Sequence, residues 1–514
     1  MKTFRLLLLL FASALPVHAK VRLPALFSDH MVLQAAAAVP VWGWAGPGED
    51  VAVSIAGQSM TTTTGIDGKW KLTLEKLKAS DQPQTLTVKG TNTLTVNDVL
   101  VGEVWLGSGQ SNMAYKVASS NVAPETLAEA KAQAASVRPA IRFFMTASRG
   151  ADEPQQDVTG KWEIAEPERV GFCSAVAWYF GLALHQKLHT PVGLIVSSMG
   201  GTAAELWIPR KELDATSVAK AIWQRHQEAL AGYTPEKLAK YQSAEAAWQK
   251  ANPTPELKAK NARNRPKEIY SPDSHHAPVR LYNGKIAGLE PYAIKGIIWF
   301  QADGNNAHPE EYSELIQTLI RTWRAHWHGE LPFYYVEMNN MHALQTRPDE
   351  DRPLAQIREA QNGALKLPRT GVVAAIDLGI AENAHFPIKK PVGDRLANLA
   401  LSEVYQLSLG EVHSPELAGC KIEKDKVRVT LKHAEGLRAR GGEIRGFALQ
   451  DASGTWVWAE ARIEGTDLLL WSSQAPKPQA LRYAWAENPV ISIENGASLP
   501  LRPFRVDLKA ASRE

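Results

Sequence analysis

A serine at the end of an apolar segment is the first residue of this chain that could do chemistry. Residues 99–106 are mostly apolar and contain several β-branched side chains, which predicts a buried strand. Gly107-Ser108-Gly109 ends the segment, and Ser111 follows in a more polar stretch. A strand that ends in a glycine turn can expose a nucleophile at the edge of a sheet, although the second glycine of a G-x-S-x-G elbow is missing here. From the local sequence alone, the commoner role of such a serine is to cap a helix.

Two further apolar segments end in residues that suit acyl-transfer chemistry. Val192–Ser198 is followed by Gly200-Gly201-Thr202, and Gly296–Phe300 is followed by the polar residues 301–305, which end in Asn305. Glycines let a backbone N–H group approach an oxyanion, and an asparagine side chain can donate to one. Sites in open α/β sheets form at the carboxyl ends of strands, where these residues would meet. Ordinary turn chemistry is the alternative at both places.

A serine nucleophile needs a base, and the chain has 14 histidines. His385 follows Glu382 by three residues, in a predicted loop ahead of a helix with proline at its start. This spacing allows the carboxylate to reach one imidazole nitrogen and leaves the other nitrogen free for a serine. His308, close to Asn305 in the sequence, is the rival base, and a lone histidine is commonly structural.

Strands and helices alternate through the middle of the chain and must position these residues. Strands are predicted at residues 140–145, 192–198, 296–300, 333–337 and 371–376, and helices at 176–188, 312–327 and 391–405. This alternation predicts an α/β fold with a parallel sheet and helices on both faces. Residues 211–278, rich in Ala, Lys, Glu and Gln, interrupt it as a helical insertion.

The segments on either side of the α/β region are predicted to be all-β. Short alternating segments separated by Gly and Pro turns predict one β-sandwich-like module over residues 20–98 and another over residues 410–514. The α/β domain would then occupy residues 99–409. A basic start, an apolar stretch and a small-residue cleavage site predict a secretory signal peptide over residues 1–19. We therefore expect an exported protein, periplasmic or secreted, rather than an integral membrane protein, a retained anchor being the alternative.

The composition excludes some partners and cofactors. A net charge of +3 over 514 residues, with no long basic run, argues against a nucleic-acid partner. No Cys and His residues have the spacing of a metal site, so we expect neither a metal nor another cofactor. Cys173 and Cys420 are the two cysteines, and their separation leaves open whether they pair.

Taken together, these segments resemble the sialate O-acetylesterase-type carbohydrate esterases of the SGNH hydrolase superfamily. The resemblance covers nearly all of the chain after the predicted signal peptide. Its most specific block is Gly109-Gln110-Ser111-Asn112-Met113. The other blocks are residues 23–34, 40–44, 101–105, 200–202, 281–284, 299–301, 483–485 and 503–505.

The resemblance implies a fold of the SGNH type and a role for each candidate residue. Ser111 matches the nucleophile and His385 the base, with Glu382 where the superfamily usually has aspartate. The implied oxyanion hole consists of the Ser111 backbone N–H, Gly200 or Gly201, and Asn305. Substrate binding is assigned to Gln110, Gln301 and Asp303. Three departures from the family pattern precede Asn305, namely Ala302, Asp303 and Gly304, and Phe386 replaces the usual proline after His385.

The expected activity is removal of O-acetyl groups from a carbohydrate through an acetyl-serine intermediate, and two alternatives stay open. The altered blocks around Asp303 and Glu382, together with 16 tryptophans that could stack on sugars, would suit a non-catalytic carbohydrate-binding protein. An esterase or acyltransferase acting on another acylated polymer, such as acetylated xylan, would keep Ser111 and His385. The identity of the sugar and the oligomeric state are left open by the sequence.

Overall fold

The computed structural model describes residues 20–119 and 121–508, so the predicted signal peptide lies outside the described residues. The N-terminal strands are β1 (Val32–Gln34), β2 (Val39–Trp44), β3 (Asp50–Ile55), β4 (Gln58–Thr63), β5 (Lys69–Leu74), β6 (Ser80–Lys89) and β7 (Thr93–Gly109). The middle strands are β8 (Ile141–Met145), β9 (Trp162–Ile164), β10 (Val192–Ser198), β11 (Gly296–Phe300), β12 (Phe333–Val336) and β13 (Thr370–Val373).

The helices lie between these middle strands or follow them. They are α1 (Ser111–Ala114), α2 (Pro124–Val137), α3 (Ala175–Leu188), α4 (Arg210–Asp214), α5 (Ala219–Ala231), α6 (Pro235–Ala251), α7 (Pro255–Lys260), α8 (Pro309–His326), α9 (Pro353–Gln361) and α10 (Lys390–Glu403). Helices α5 to α7 fall within the predicted insertion. The predicted strand at 371–376 is shorter than expected and ends at Val373.

The central sheet confirms the predicted α/β class. Its strand order is β13-β12-β11-β7-β10-β8-β9, and every neighbouring pair is parallel except β8 with β9. Gly109 pairs with both Ser198 and Phe300, so strands β7, β10 and β11 end level with one another. The three segments that follow these strands therefore emerge side by side at one edge of the sheet.

Helices cover both faces of this sheet through large aromatic side chains. Trp105 of β7 packs against Phe180 of α3, with ring centroids 5.0 Å apart. Trp299 of β11 packs against Trp323 of α8, with centroids 5.7 Å apart. Trp299 pairs with Ser108, three residues beyond Trp105, and alternation along β7 places the two tryptophans on opposite faces. All four rings are fully buried, which fixes the strand ends against a packed core.

Strand β7 is 17 residues long and crosses the boundary predicted after residue 98. Its first half pairs with β6, and its second half pairs with β10 and β11. The N-terminal strands and the α/β sheet therefore share one continuous element. The local polarity of the sequence does not indicate this continuity, because residues 93–98 are partly exposed whereas residues 99–109 are buried.

The C-terminal segment forms antiparallel sheets around a second apolar core. The strands of this segment are β14 (Glu416–Glu423), β15 (Lys426–Lys432), β16 (Arg438–Ala439), β17 (Phe447–Gln450), β18 (Trp456–Trp458), β19 (Glu460–Glu464), β20 (Asp467–Trp471), β21 (Ala480–Tyr483), β22 (Ile493–Glu494) and β23 (Phe504–Asp507). One sheet has the order β14-β15-β20-β19 and another β18-β17-β21-β23, and the two short strands β16 and β22 pair separately.

The structure shows whether the two cysteines pair and whether a described helix could cross a membrane. Cys173 is a buried free thiol and Cys420, on β14, is also unpaired, so no disulfide joins them. Within residues 20–119 and 121–508, no helix has both the length and the hydrophobicity required to cross a bilayer.

Candidate active site

A glycine turn after β7 places Ser111 beyond the end of the sheet. Gly109 has a φ of 131°, and a Cβ atom there would lie 2.3 Å from the carbonyl oxygen of Phe300, so no other residue fits without movement. The N–H of Gln110 donates to the same carbonyl at 2.9 Å. Ser111 then begins α1, half-buried, and its hydroxyl has no hydrogen-bond partner in the described part of the chain.

Gly200 lies directly beside Ser111. A Cβ atom at Gly200 would lie 3.4 Å from the Cβ atom of Ser111, so a side chain there would cover the serine. Gly201 continues the turn with a φ of 70°, and the hydroxyl of buried Thr202 closes it by donating to the carbonyl of Met199 at 2.8 Å. The N–H of Ser111 stands in the first turn of α1, where it has no helical acceptor. The turn can therefore aim backbone donors at an oxygen bound next to Ser111.

Asn305 joins the turns that follow β10 and β11. Its side-chain oxygen accepts hydrogen bonds from the N–H of Ala204 and the amide of Gln301, both at 2.9 Å. Its amide nitrogen donates to the carboxylate of Glu205 at 2.9 Å, and burial raises the pKa of that carboxyl group. One hydrogen of this nitrogen has no acceptor among the described residues, so it is the hydrogen that Asn305 has left for an oxyanion.

Gln110 and Gln301, to which substrate binding was assigned, are buried parts of the scaffold. The side-chain oxygen of Gln110 accepts from the N–H groups of Gly304 at 3.1 Å and Ala302 at 3.4 Å. Gln301 donates to the carbonyl of Thr202 at 3.0 Å and accepts from a buried tyrosine hydroxyl at 3.0 Å. The exposed fractions of the two residues are only 3% and 0%, so they hold the loops in place and offer little surface to a ligand.

The loop that carries His385 is attached to the segment that follows Ser111. The amide nitrogen of Asn112 donates to the carbonyl of Ala384 at 3.1 Å, and that of Asn121 donates to the carbonyl of His385 at 3.0 Å. The His385 ring makes no hydrogen bond within the described chain, to Ser111 or otherwise. Catalytic hydrogen bonds in unliganded enzymes are often long and tighten only when substrate binds.

The pKa of His385 is lowered, first by burial of the imidazole and then by the positive charge of Lys389. The negative charge of Asp303 acts in the opposite direction. A lowered pKa keeps the imidazole neutral around neutral pH, and a general base must be neutral to accept a proton.

The structure does not bring Glu382 to His385 by a hydrogen bond. Glu382 is exposed, and none of the described residues bonds to its carboxylate. Asp303, assigned to substrate binding from the sequence, is the carboxylate that interacts electrostatically with His385. Burial raises the pKa of Asp303, while the charges of His342 and His385 lower it. The rival base, His308, stands just before α8, 3.5 Å from the carboxylate of Glu310.

Sequence reasoning missed Lys389 and Asn112, which connect the two halves of the site. The Lys389 ammonium group donates to the side-chain oxygen of Asn112 at 2.5 Å, and Lys389 is only 1% exposed. A usable signal was present, because Lys389 lies just ahead of the predicted helix at 391–405, where the helix dipole disfavours a positive charge.

Among the residues that the structure describes, three groups of histidine and carboxylate side chains could hold a metal ion by their geometry. They are Glu268 with His275 and His276; Glu411 with His413 and His433; and His308 with Glu310 and Glu311. Neither Ser111 nor His385 belongs to any of them.

Comparisons with known proteins show which proteins this chain is similar to. A family model described as a carbohydrate esterase, sialic acid-specific acetylesterase, matches residues 276–402, which include Asn305 and His385. Sialate O-acetylesterase of Rattus norvegicus is 28% identical over 519 residues, covering 91% of this chain and 90% of the relative. The Mus musculus protein of the same name is 27% identical over 392 residues, covering 70% of this chain and 68% of the relative. The crystal structure of a carbohydrate acetylesterase from Xanthomonas citri matches with a TM-score of 0.78 at 29% identity, covering 95% of this chain and all of that one.

Proposed function

Since this chain is a carbohydrate esterase of the sialate O-acetylesterase type, we propose that it removes O-acetyl groups from a sugar through an acetyl-serine intermediate. The observation that carries the proposal is the level ending of strands β7, β10 and β11. It places Gly200 next to Ser111 and brings the loop of Asn305 to the same edge of the sheet, while Asn112 bonds to the loop of His385. A nucleophile, oxyanion donors and a base are thus supplied by neighbouring loops.

In the proposed reaction, His385 accepts the proton of the Ser111 hydroxyl as its oxygen attacks the acetyl carbonyl. The oxyanion of the tetrahedral intermediate is bound by the backbone N–H groups of Ser111 and Gly200 and by the remaining N–H of Asn305. His385 returns the proton to the leaving sugar hydroxyl. Water, deprotonated by His385, then attacks the acetyl-serine, and His385 returns the proton to the Ser111 oxygen as acetate is released.

An O-acetylated sialic acid is the first substrate to examine, because the Rattus norvegicus and Mus musculus relatives are named for sialate esters. Acetylated xylan represents the alternative class of acylated polymer. We also propose that residues 1–19 direct export, so that the mature protein begins near Lys20 and acts in the periplasm or outside the cell. Amino-terminal sequencing of the exported protein tests this point, and retention of residues 1–19 would contradict it.

Acetate release from a small acetyl ester, acetylated sialic acid and acetylated xylan tests the proposed activity. We expect wild type to release acetate and both Ser111→Ala and His385→Ala to lose about 10⁴-fold or more of kcat. Trapping of an acetylated Ser111 peptide by mass spectrometry would identify the intermediate. Full activity in Ser111→Ala would show that another residue is the nucleophile.

Two outcomes would favour the other functions. Binding of acetylated glycans by a folded wild type that releases no acetate would support a non-catalytic carbohydrate-binding protein. Acetyl transfer to an added sugar in place of free acetate would identify an acyltransferase that uses the same serine and histidine.

A further inference from the structure

Lys389 is a buried cation with no carboxylate partner among the described residues. Its ammonium group bonds to the side-chain oxygen of Asn112 and lies 3.4 Å from the ring centroid of Phe386. The rings of Tyr115 and Phe300 lie 4.9 Å and 5.7 Å away, so the cation is surrounded largely by aromatic faces. Cation–π contacts of this kind compensate only part of the lost hydration of an ammonium ion.

The position of Lys389 is unfavourable for stability in two respects. Burial disfavours the charged form and lowers its pKa well below the ordinary value. Lys389 is also the N-cap residue of α10, where the helix dipole favours negative rather than positive groups. A methionine would fill the same aromatic surroundings without a charge. Stability alone therefore does not account for a lysine at this position.

The hydrogen bonds of Asn112 give Lys389 a route to both proposed catalytic residues. Asn112 follows Ser111 directly, and its amide nitrogen donates to the carbonyl of Ala384, which precedes His385. Because the ammonium group has only donors, it orients the Asn112 oxygen toward itself and the amide nitrogen toward Ala384. Reversing the amide would place its NH₂ group against the ammonium group.

We propose that Lys389 is a positioning residue that holds the His385 loop against the Ser111 segment through Asn112. The proposal rests on the esterase function proposed above. The connection runs from Lys389 to Asn112 and from Asn112 to Ala384, and it fixes the separation of nucleophile and base. A displacement of about 1 Å in such a pair can lower a rate by about 10²-fold.

The charges that act on His385 come from two sides. Lys389 disfavours the imidazolium ion, whereas Asp303, from the loop after β11, favours it. Tyr115 is the other titratable group against the Lys389 ammonium, and burial raises its pKa to about 12, so it stays neutral. Loss of the Lys389 charge should therefore raise the pKa of His385. The acid limb of the pH profile, in which kcat/KM falls as His385 becomes protonated, should then move to higher pH.

The test compares Lys389→Met with Lys390→Met. Lys390 is the exposed neighbour, paired with Asp394 at 2.6 Å, so its replacement removes the same charge outside the site. For Lys389→Met we expect kcat to fall about tenfold or more, KM for a small acetyl ester to stay within about twofold, and the acid limb to move to higher pH. The melting temperature is measured beside kcat, because removal of the buried charge favours the fold whereas loss of the donor to the buried Asn112 oxygen disfavours it. Lys390→Met should behave as wild type.

Nuclear magnetic resonance titration of the His385 imidazole supplies a readout that needs no turnover. We expect a higher pKa in Lys389→Met and no change in Lys390→Met. If wild type released no acetate, the proposed function would fail, yet the titration would still decide whether Lys389 controls His385. An unchanged His385 pKa in Lys389→Met, or a fall in kcat that only follows a fall in melting temperature, would overturn the proposal.

Asn112→Asp is a second variant that retains Lys389 and gives its ammonium group a carboxylate partner. It replaces the donor to Ala384 with an oxygen that cannot donate, so kcat should again fall about tenfold or more. The new carboxylate also offsets the Lys389 charge and should raise the His385 pKa. Wild-type kcat and an unchanged titration in this variant would contradict the proposed connection even if Lys389→Met did not fold.

Discussion

Asp303 and Glu382 compete for the role of partner to His385, and their surroundings separate them. Glu382 stands in the sequence position expected for the orienting acid, but it is exposed and has no hydrogen bond to the described residues. Asp303 is partly buried, and its charge acts on His385. A charge in a less hydrated environment acts more strongly on its neighbour than one exposed to solvent. We therefore expect Asp303, rather than Glu382, to be the group that stabilises the imidazolium ion.

Asp303→Asn should move the acid limb of kcat/KM to lower pH. The negative charge of Asp303 favours protonated His385, so its removal lowers the histidine pKa and the base stays neutral to a lower pH. The measurement is a pH profile of kcat/KM on a small acetyl ester. The same profile for Glu382→Gln should keep its acid limb in place. A shift caused by Glu382→Gln and not by Asp303→Asn would restore the role first assigned to Glu382.

The turn between β7 and α1 is the element that decides where Ser111 lies. Gly109 combines a positive φ with the closest approach of backbone from β11. Gly57, between β3 and β4, also has a positive φ of 79°, but nothing lies within 4 Å of its Cβ position. Comparing a side chain at Gly109 with one at Gly57 therefore separates the steric cost from the cost of the positive φ.

Gly109→Ala should lower the free energy of unfolding by about 3 kcal/mol or more, because both backbone strain and a clash with Phe300 must be relieved. Gly57→Ala should lower it by about 1 kcal/mol, the cost of the positive φ alone. Urea unfolding followed by tryptophan fluorescence measures both values. We also expect kcat to fall in Gly109→Ala and to stay at the wild-type value in Gly57→Ala. Equal losses of stability would show that the turn accommodates a side chain.

At the scale of the whole molecule, buried arginines join the C-terminal strands to the α/β sheet. Arg502 donates to the carboxylate of Glu337, which follows β12, and to that of Glu416 on β14, both at 3.0 Å. Glu337 is fully buried and Arg502 nearly so. From the opposite direction, Arg358 of α9 donates to the carbonyls of Ala486 and Glu487. The C-terminal module is therefore attached by charged groups that water does not reach.

Arg502→Met should lower the free energy of unfolding by about 3–5 kcal/mol, because it leaves the buried carboxylate of Glu337 without its cation. Arg505→Met provides the matched control, since Arg505 pairs with Glu359 at 2.7 Å and both side chains are about 40% exposed. Its loss should be at most about 1 kcal/mol. Thermal unfolding compares the two variants. Similar losses would mean that the Arg502 contact adds no more than a surface ion pair.

Local patterns in the sequence were sufficient to predict most of the elements around the site. The strands at 192–198 and 296–300 lie where the apolar segments placed them, and the helix at 176–188 begins one residue earlier than expected. The periodicity of apolar residues reflects which face of a strand or helix is buried, so it can be recognised in the local sequence. Ser111, Gly200, Gly201, Asn305 and His385 could be singled out in the same way, because glycine turns and polar residues at strand ends are local features.

Only the tertiary structure decided which of these residues and strands contact one another. The length of β7 depends on β6, which precedes it, and on β10 and β11, which follow it in the chain, so a boundary drawn on local polarity falls within it. Gln110 and Gln301 are scaffold residues because of neighbours that are remote in sequence. The position of Asp303 relative to His385 and the contact of Lys389 with Asn112 likewise depend on long-range packing. Burial and the distance between charges are properties of the folded chain, and these quantities set the pKa of a base.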